Sequence, residues 1–317
     1  MAIEIGPGWV IGGGISIVEP PPSVATASWA AGGYPPLTIS TVNRVTYATD
    51  TATASVRGSL VGNNEALVGT GTTSYGWFGG GYTTGGPIST IQRITYSTDT
   101  NTATSRSTLS NSMSGLAAST DLSTYAWFAG GYVSTFVSTV QRLTFATDTA
   151  GTTSRGPLSV ARSSFNGTGT SSYGWFGGGS VPASISTVDR IDYANDTTTA
   201  SIRGALTSAV YGAAAISDGS TYGYFVGGVV SPRTSVTQRI TFANDTGLST
   251  TRGPYFAPMY GGSGSGNDTH GYVTACNASS PISTVGRIAY ATDTATASER
   301  GPMTYAAFNV ASTSGIQ

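Results

Sequence analysis

Two arginines and one aspartate recur together six times along this chain of 317 residues, always in the same order. The aspartate follows the first arginine by six residues, and the second arginine follows the first arginine by thirteen. The first arginines are Arg44, Arg93, Arg142, Arg190, Arg239 and Arg287; the aspartates are Asp50, Asp99, Asp148, Asp196, Asp245 and Asp293; the second arginines are Arg57, Arg106, Arg155, Arg203, Arg252 and Arg300. A guanidinium can hold a carboxylate through two parallel hydrogen bonds. Such columns could bind a ligand, but groups that recur in every copy are expected to be structural.

Few other residues could do chemistry. Each turn offers one carboxylate, whereas calcium takes about six to eight oxygens. His270, the only histidine, stands where other copies have tyrosine, and Cys276, the only cysteine, stands where they have glycine, so we expect packing roles for both. No Ser-His-Asp set and no metal-ligand set can be assembled. We therefore expect no enzyme, no catalytic residue, no metal and no cofactor.

The composition limits the partners. Charged residues make up 9% of the chain, lysine is absent and the formal net charge is −1. Without a basic tail or cluster, nucleic acid is not an expected partner. No apolar run approaches the roughly 20 residues of a membrane span, so membrane insertion is not expected, and no secretory signal is evident. A net charge near zero favours association, which suits a protein built into an assembly.

The spacing of these columns, 48 or 49 residues, is a repeat period. In the copy over 159–206, four short runs rich in Thr, Val, Ile, Tyr and Trp cover 163–169, 173–176, 186–193 and 199–203, with glycine, proline and Asn-Asp between them. No helical period is sustained. Six such units predict an all-β fold, a six-bladed β-propeller with four antiparallel strands per blade.

The third run of each copy predicts how blades pack. Val42 and Arg44 fall on one face of the first copy's strand, and Val45 and Tyr47 fall on the other. Both faces are partly apolar, which indicates a blade enclosed between two neighbours. The fifth copy has Val236-Thr237 in the reverse order, which leaves its register open.

The repeats resemble kelch-type propeller repeats. A strand ending in a glycine pair is found at 77–80, 127–131, 175–178 and 225–228, and an aromatic residue before an acidic turn follows, as in Tyr96 and Asp99. The fourth strand carries arginine in place of the kelch tryptophan, and the sixth copy has Ala275-Cys276 at the glycine pair. Copper-radical oxidases with kelch propellers need two histidines, and sialidase propellers need their own Asp-box motifs, so neither activity is implied.

The amino-acid sequences of segments 138–149 and 5–12 also resemble those of repeat proteins of marine bacteriophages, including phages of cyanobacteria. This resemblance implies a virion structural protein of the tail, a fibre or the capsid surface, located in the virion after assembly in the host cytoplasm. A carbohydrate-binding, lectin-like propeller outside any virion is the alternative. A hydrolase or oxidase is a third hypothesis, with no motif to support it.

The two ends of the repeat array predict ring closure. Segment 307–313 matches the first strand of a unit, and Trp29 to Gly33 matches the second, so the last strand should complete the first blade. We predict a propeller over 27–317 and an arm over 1–26, with Ile5, Trp9 and Ile11 as anchoring residues. The arm could pack on its own propeller, add a strand to other virion proteins, or form a homo-oligomer such as a trimer.

The loops after the second strands differ from copy to copy, whereas the Asp turns repeat. Variation indicates contact and recurrence indicates scaffold. The candidate contacts for a host-surface glycan, a receptor or a neighbouring virion protein are Tyr34, Tyr82, Tyr132, Phe136 and Arg233.

Overall fold

Residues 25–314, which the computed structural model describes, form six four-stranded antiparallel sheets arranged as the blades of a propeller. The strands of each blade, from the central channel outwards, are as follows. Blade 1 has Ala311–Thr313, Ala27–Ala31, Ile39–Thr46 and Ser55–Asn64; blade 2 has Val68–Gly71, Tyr75–Gly79, Thr90–Thr95 and Thr104–Thr108; blade 3 has Ala117–Thr120, Tyr125–Ala129, Val140–Thr144 and Thr153–Arg155. Blade 4 has Asn166–Gly169, Tyr173–Gly177, Val188–Asp192 and Ser201–Ile202; blade 5 has Ala214–Ser217, Tyr222–Val226, Thr237–Thr241 and Thr250–Arg252; blade 6 has Ser263–Gly266, His270–Thr274, Val285–Ala289 and Ser298–Arg300.

Short elements connect the strands. A single turn of 3-10 helix follows every third strand, at Tyr47–Thr49, Tyr96–Thr98, Phe145–Thr147, Tyr193–Asn195, Phe242–Asn244 and Tyr290–Thr292. Two-residue strands pair at Tyr82–Thr83 with Gly86–Pro87, Ser180–Val181 with Ala183–Ser184, and Cys276–Asn277 with Pro281–Ile282. No helix in 25–314 is long and apolar enough to cross a membrane.

The ring closes in blade 1 with strands from both ends of the described chain. Ala27–Ala31 pairs on one side with Ala311–Thr313, in the register Trp29 to Thr313, and on the other side with Ile39–Thr46. Ala311–Thr313 also contacts the first strands of blades 2 and 6, so the first strands form an unbroken inner ring. The predicted closure is confirmed. The predicted arm and its anchoring residues Ile5, Trp9 and Ile11 lie outside the described residues, apart from positions 25 and 26.

Apolar side chains fill the spaces between blades. Val42 packs in a cluster with Phe78 and Ile94 of blade 2, whereas Val45 packs with Tyr272 of blade 6. Each third strand therefore lies between two neighbouring blades, as its two apolar faces predict. In blade 5 the buried position belongs to Thr237, fully shielded from solvent, which settles the register that Val236-Thr237 left open.

Blade 4 contains an ion pair that the other blades lack. Arg162 and Asp189 are both fully buried, with Nη1 of Arg162 at 2.7 Å from Oδ2 of Asp189. Burial lowers the pKa of Arg162, and the charge of Asp189 opposes that shift. In blade 3 the equivalent positions hold Met113 and Gln141, where the Gln141 amide contacts the Met113 sulfur and its oxygen accepts a bond from the Ser110 amide. Two different pairs thus fill one buried site.

Deleting residues 311–317 should lower the free energy of unfolding by about 3 kcal/mol or more, because it bares the edge of Ala27–Ala31 and the apolar surface behind it. Guanidinium denaturation would measure the loss, with deletion of 315–317 as the control. Equal stability of the two truncated chains would contradict the closure described above.

Arg162→Met should destabilise the chain by roughly 3–5 kcal/mol, because it leaves Asp189 buried without its cation. The double variant Arg162→Met/Asp189→Gln installs the blade 3 pair and should restore most of the loss. A double-mutant cycle in denaturant measures the coupling. Additive losses in the double variant would show that the two side chains do not act as a unit.

Candidate functional site

The repeated aspartates join each blade to the preceding one. In blade 3, Oδ2 of Asp148 accepts hydrogen bonds from Nε1 of Trp77 at 2.9 Å and Nη1 of Arg93 at 2.9 Å, both in blade 2. Oδ1 of Asp148 accepts from Nε and Nη2 of Arg106, also in blade 2, at 2.9 and 2.7 Å. One carboxylate thus collects three side chains of the neighbouring blade.

The same cluster occurs at all six junctions. Each aspartate pairs with both arginines of the preceding blade: Asp99 with Arg44 and Arg57, Asp196 with Arg142 and Arg155, Asp245 with Arg190 and Arg203, Asp293 with Arg239 and Arg252, and Asp50 with Arg287 and Arg300. The neutral donors are Trp29, Trp77, Trp127, Trp175, Tyr224 and Tyr272. Each of these six junction aspartates is at least nine-tenths buried. Because their oxygens face the adjacent blade, these columns serve the junctions between blades.

Backbone contact reinforces the junctions. The residue after the second arginine is glycine in five copies, and a Cβ added at Gly156 would lie 1.8 Å from the Thr198 carbonyl oxygen of the next blade. Ser107 is the exception in blade 2, and its hydroxyl donates to the Ala150 carbonyl of blade 3. At this junction Arg106 makes its bidentate contact with Asp148.

His270 and Cys276 lie within packed surroundings. Tyrosines in the His270 column cover the first arginine, as where Arg142 lies 4.1 Å from the centre of the Tyr125 ring. His270 is half-buried, and burial, followed by the charge of Arg287, lowers its pKa. Cys276 is buried, and burial raises the pKa of its thiol to about 12. Among residues 25–314 no group of three or more His, Cys, Asp or Glu could hold a metal ion.

The propeller has two different faces. The turn face carries the tight turns between first and second strands and the 3-10 turns after third strands. The loop-rich face carries the connections between second and third strands, at 32–38, 80–89, 130–139, 178–187, 227–236 and 275–284, and those leading to the next blade, at 65–67, 109–116, 156–165, 203–213, 253–262 and 301–310. All five predicted contact residues lie on the loop-rich face.

Main-chain bonds fix the loops of the loop-rich face. In each blade, the amide of the residue after the glycine pair, or after Ala275-Cys276, donates a hydrogen bond to a backbone carbonyl. That carbonyl belongs to the connection that leads from the preceding blade into the same blade. The bonds are Tyr34 to Phe308, Tyr82 to Glu65, Tyr132 to Ser114, Ser180 to Ser163, Val229 to Tyr211 and Asn277 to Tyr260, at 2.7–2.9 Å. Because only backbone atoms take part, the side chains at these positions can vary without loss of the bonds.

A ring of backbone hydrogen bonds, which we call the collar, surrounds the channel at the loop-rich face. Each member donates its amide to the carbonyl of the preceding one at 2.6–2.9 Å, around the cycle Ala66, Gly115, Ser164, Gly212, Gly261 and Asn309. All six have φ between 51° and 68°, in the left-handed region. The strand expected over 163–169 consequently begins only at Asn166, after the turn at Ser164. The collar and the first strands line an open cavity of about 320 Å³.

The predicted contacts are distributed around the loop-rich face and are not gathered at one point. Tyr34, Tyr82 and Tyr132 are exposed, at 36%, 45% and 43% of their surface. Phe136 lies edge-on to Tyr132 in blade 3, with ring centres 5.5 Å apart. Arg233 of blade 5 lies 4.8 Å from the ring centre of Tyr260.

Sequence reasoning missed Tyr260 and Phe308, which connect two of these contacts. Tyr260 lies 5.6 Å from Phe308, and Phe308 lies 5.7 Å from Tyr34, between ring centres. Arg233, Tyr260, Phe308 and Tyr34 therefore form a continuous surface over blades 5, 6 and 1, the Arg233 patch. The sequence feature that could have revealed them is the position directly before each collar residue, which recurs at the repeat period. It is occupied by Glu65, Ser114, Ser163, Tyr211, Tyr260 and Phe308.

The two faces also differ in charge. Within 25–314, every arginine except Arg233 forms an ion pair with an aspartate. The aspartates of the described part that make no ion pair, Asp121, Asp192, Asp218 and Asp268, all lie on the turn face. Burial raises the pKa of Glu65 on the loop-rich face, and a bond from Asn309 opposes the shift.

These elements define the class: the chain is a six-bladed β-propeller with a scaffold-like turn face and a variable, aromatic loop-rich face. No protein-family model and no curated protein sequence matches it significantly.

Asp148→Asn should lower the free energy of unfolding at neutral pH by roughly 1–3 kcal/mol, because Arg93 and Arg106 lose their carboxylate. Burial opposes ionisation of Asp148, but the bonds from Arg106 and Trp77 and the charge of Arg93 outweigh it and lower its pKa below the ordinary 3.8. Its stabilising effect is therefore complete above about pH 4 and is lost as pH falls through the lowered pKa. Unfolding at neutral and at acidic pH should show the gap between wild type and variant closing on acidification, whereas Asp268→Asn, an exposed control, should show no gap.

Proposed function

We propose that the chain is a non-enzymatic structural protein of a bacteriophage virion, carried on a tail, a fibre or the capsid surface. In this proposal the kelch-type propeller presents its loop-rich face to a ligand, and residues 1–26 attach it to other virion proteins, with self-association into a homo-oligomer such as a trimer.

The observation that carries the proposal is that Thr26 and Ser314, at the two ends of the ring, both lie on the turn face. The Tyr47 amide donates to the Thr26 carbonyl just as the Tyr96 amide donates to the Ser74 carbonyl, so Thr26 takes the position of a turn-face residue. Ser314 follows the closing strand Ala311–Thr313, which runs toward the same face. A connection through residues 1–26 thus leaves from the turn face and directs the loop-rich face away from the attachment.

The character of the two ends supports this division. Segment 1–26 carries the apolar residues Ile3, Ile5, Trp9 and Ile11 in a glycine-rich stretch, a composition suited to strand addition in an assembly. The loop-rich face has exposed aromatic rings on a backbone fixed by hydrogen bonds, which suits contact with a ligand at small cost in ordering. The resemblance of the repeats to those of marine phages supports the setting.

Peptide mass spectrometry and immunogold microscopy of purified phage particles should find the full chain on the particle surface. A chain lacking residues 1–26 should fold to the same ring by circular dichroism but be missing from particles. Asp268→Asn in the full chain is the matched control and should be incorporated normally.

Absence of the full chain from particles would contradict the virion role and favour the lectin-like alternative, especially if the isolated ring binds glycans. Failure of the truncated chain to fold would show that the arm belongs to the core of the propeller.

A further inference from the structure

Arg233 has a cationic group that the fold leaves without a carboxylate. Among residues 25–314 it is the arginine outside every ion pair, and it is half-buried over the ring of Tyr260 at 4.8 Å. Stacking on an aromatic ring holds a guanidinium in place while its N–H groups remain available. A fixed guanidinium of this kind suits an oxyanion that offers two oxygens side by side, which it can bind through two hydrogen bonds.

The surroundings of Arg233 favour a partner that also has apolar faces. The rings of Tyr260, Phe308 and Tyr34 continue from Arg233 across blades 5, 6 and 1, with neighbouring ring centres 5.6 and 5.7 Å apart. Aromatic rings on the surface suit ligands that combine C–H faces with hydroxyl groups. Sugar rings have this combination, and an anionic substituent would reach the guanidinium.

The distribution of charged side chains indicates which face an acidic ligand would meet and argues against nucleic acid as the partner. The turn face carries four aspartates outside ion pairs, Asp121, Asp192, Asp218 and Asp268, and repels anions. The loop-rich face carries Arg233 and one carboxylate, Glu65, which accepts a hydrogen bond from Asn309, so an acidic ligand is disfavoured less there than on the turn face. One cation is too few for nucleic acid, whose binding depends on several phosphate contacts.

We propose that the Arg233 patch binds an acidic saccharide, with a carboxylate or sulfate group on Arg233 and sugar rings against Tyr260 and Phe308. This inference rests on the binding role proposed above for the loop-rich face and specifies its ligand class. Carboxylate and sulfate share the same recognition by guanidinium, and separate probes distinguish them.

The test titrates the full chain, by calorimetry, with oligogalacturonate and with a sulfated galactan oligosaccharide. The uncharged counterparts are methyl-esterified oligogalacturonate and the desulfated galactan. At least one acidic probe should bind, and its uncharged counterpart should bind about tenfold more weakly or worse, because charge-assisted hydrogen bonds are lost. Which of the two acids binds identifies the anion.

Arg233→Gln should weaken the acidic probe by about tenfold or more and leave the uncharged probe unchanged. Tyr260→Leu should weaken both, because it removes the stacked ring. Asn111→Ala, at an exposed position of the same face in the connection that enters blade 3, is the matched control and should bind as wild type. Melting curves confirm that each variant is folded.

Equal affinity for the acidic and uncharged probes, or unchanged binding by Arg233→Gln, would overturn the proposal. Binding of neutral glycans alone, lost in Tyr34→Ala, would also overturn it but leave the loop-rich face as the binding face. Binding of an acidic peptide with no binding of either acidic saccharide would replace the ligand class. The virion role fails separately, through absence of the chain from particles.

Discussion

One buried aspartate at each junction determines how the blades are joined. Apolar packing between blades is strong but has little direction, so it would tolerate sliding of one sheet over the next. The carboxylate removes that freedom, because Asp148 binds Trp77, Arg93 and Arg106 of the preceding blade through both its oxygens. Each junction aspartate directly follows a 3-10 turn, so its bonds hold the turns of adjacent blades at a fixed distance. The close approach of the Gly156 backbone to the next blade depends on the same alignment of the two blades. Removing the carboxylate leaves two guanidinium groups together, which makes the junction sensitive to this one group.

The repeated blade structure tolerates different residues at one buried site when a second substitution in the same blade compensates for the first. Arg162 and Asp189 replace Met113 and Gln141, and each pair satisfies its own polar atoms in part. Blade 6 shows a different solution, because Gly286 provides no side chain and the ring of Tyr255 fills the space, 2.1 Å from where a Cβ would stand. These exchanges occur inside the blade, where one partner can compensate another. The junction aspartates show no exchange, because three side chains depend on each of them.

The sequence was sufficient to predict the strands, the number of blades and the closing strand, because six copies repeat one pattern and the two incomplete ends complement each other. It could not assign the partners of the charged columns. Arg44 and Asp50 are six residues apart, yet Arg44 binds Asp99 and Asp50 binds Arg287, 237 positions away along the chain. The Arg233 patch was also out of reach, because Tyr260 and Phe308 belong to a column that holds glutamate, serine and tyrosine in the other copies, and their proximity arises only from the curvature of the ring.

The two faces differ in how far their side chains can change. On the turn face the aspartates and the aromatic residues before them join blades through side-chain atoms, as where the Trp127 ring stacks on Tyr193 at 3.8 Å, so substitution there costs stability. On the loop-rich face the hydrogen bonds within the loops and around the collar join main-chain atoms. Residues as different as Tyr82, Ser180 and Asn277 can therefore occupy equivalent positions. A face whose backbone is fixed by main-chain bonds can acquire ligand contacts at its exposed side chains without loss of the propeller. Arg233 illustrates this, since its guanidinium takes no part in joining blades and remains available to a partner.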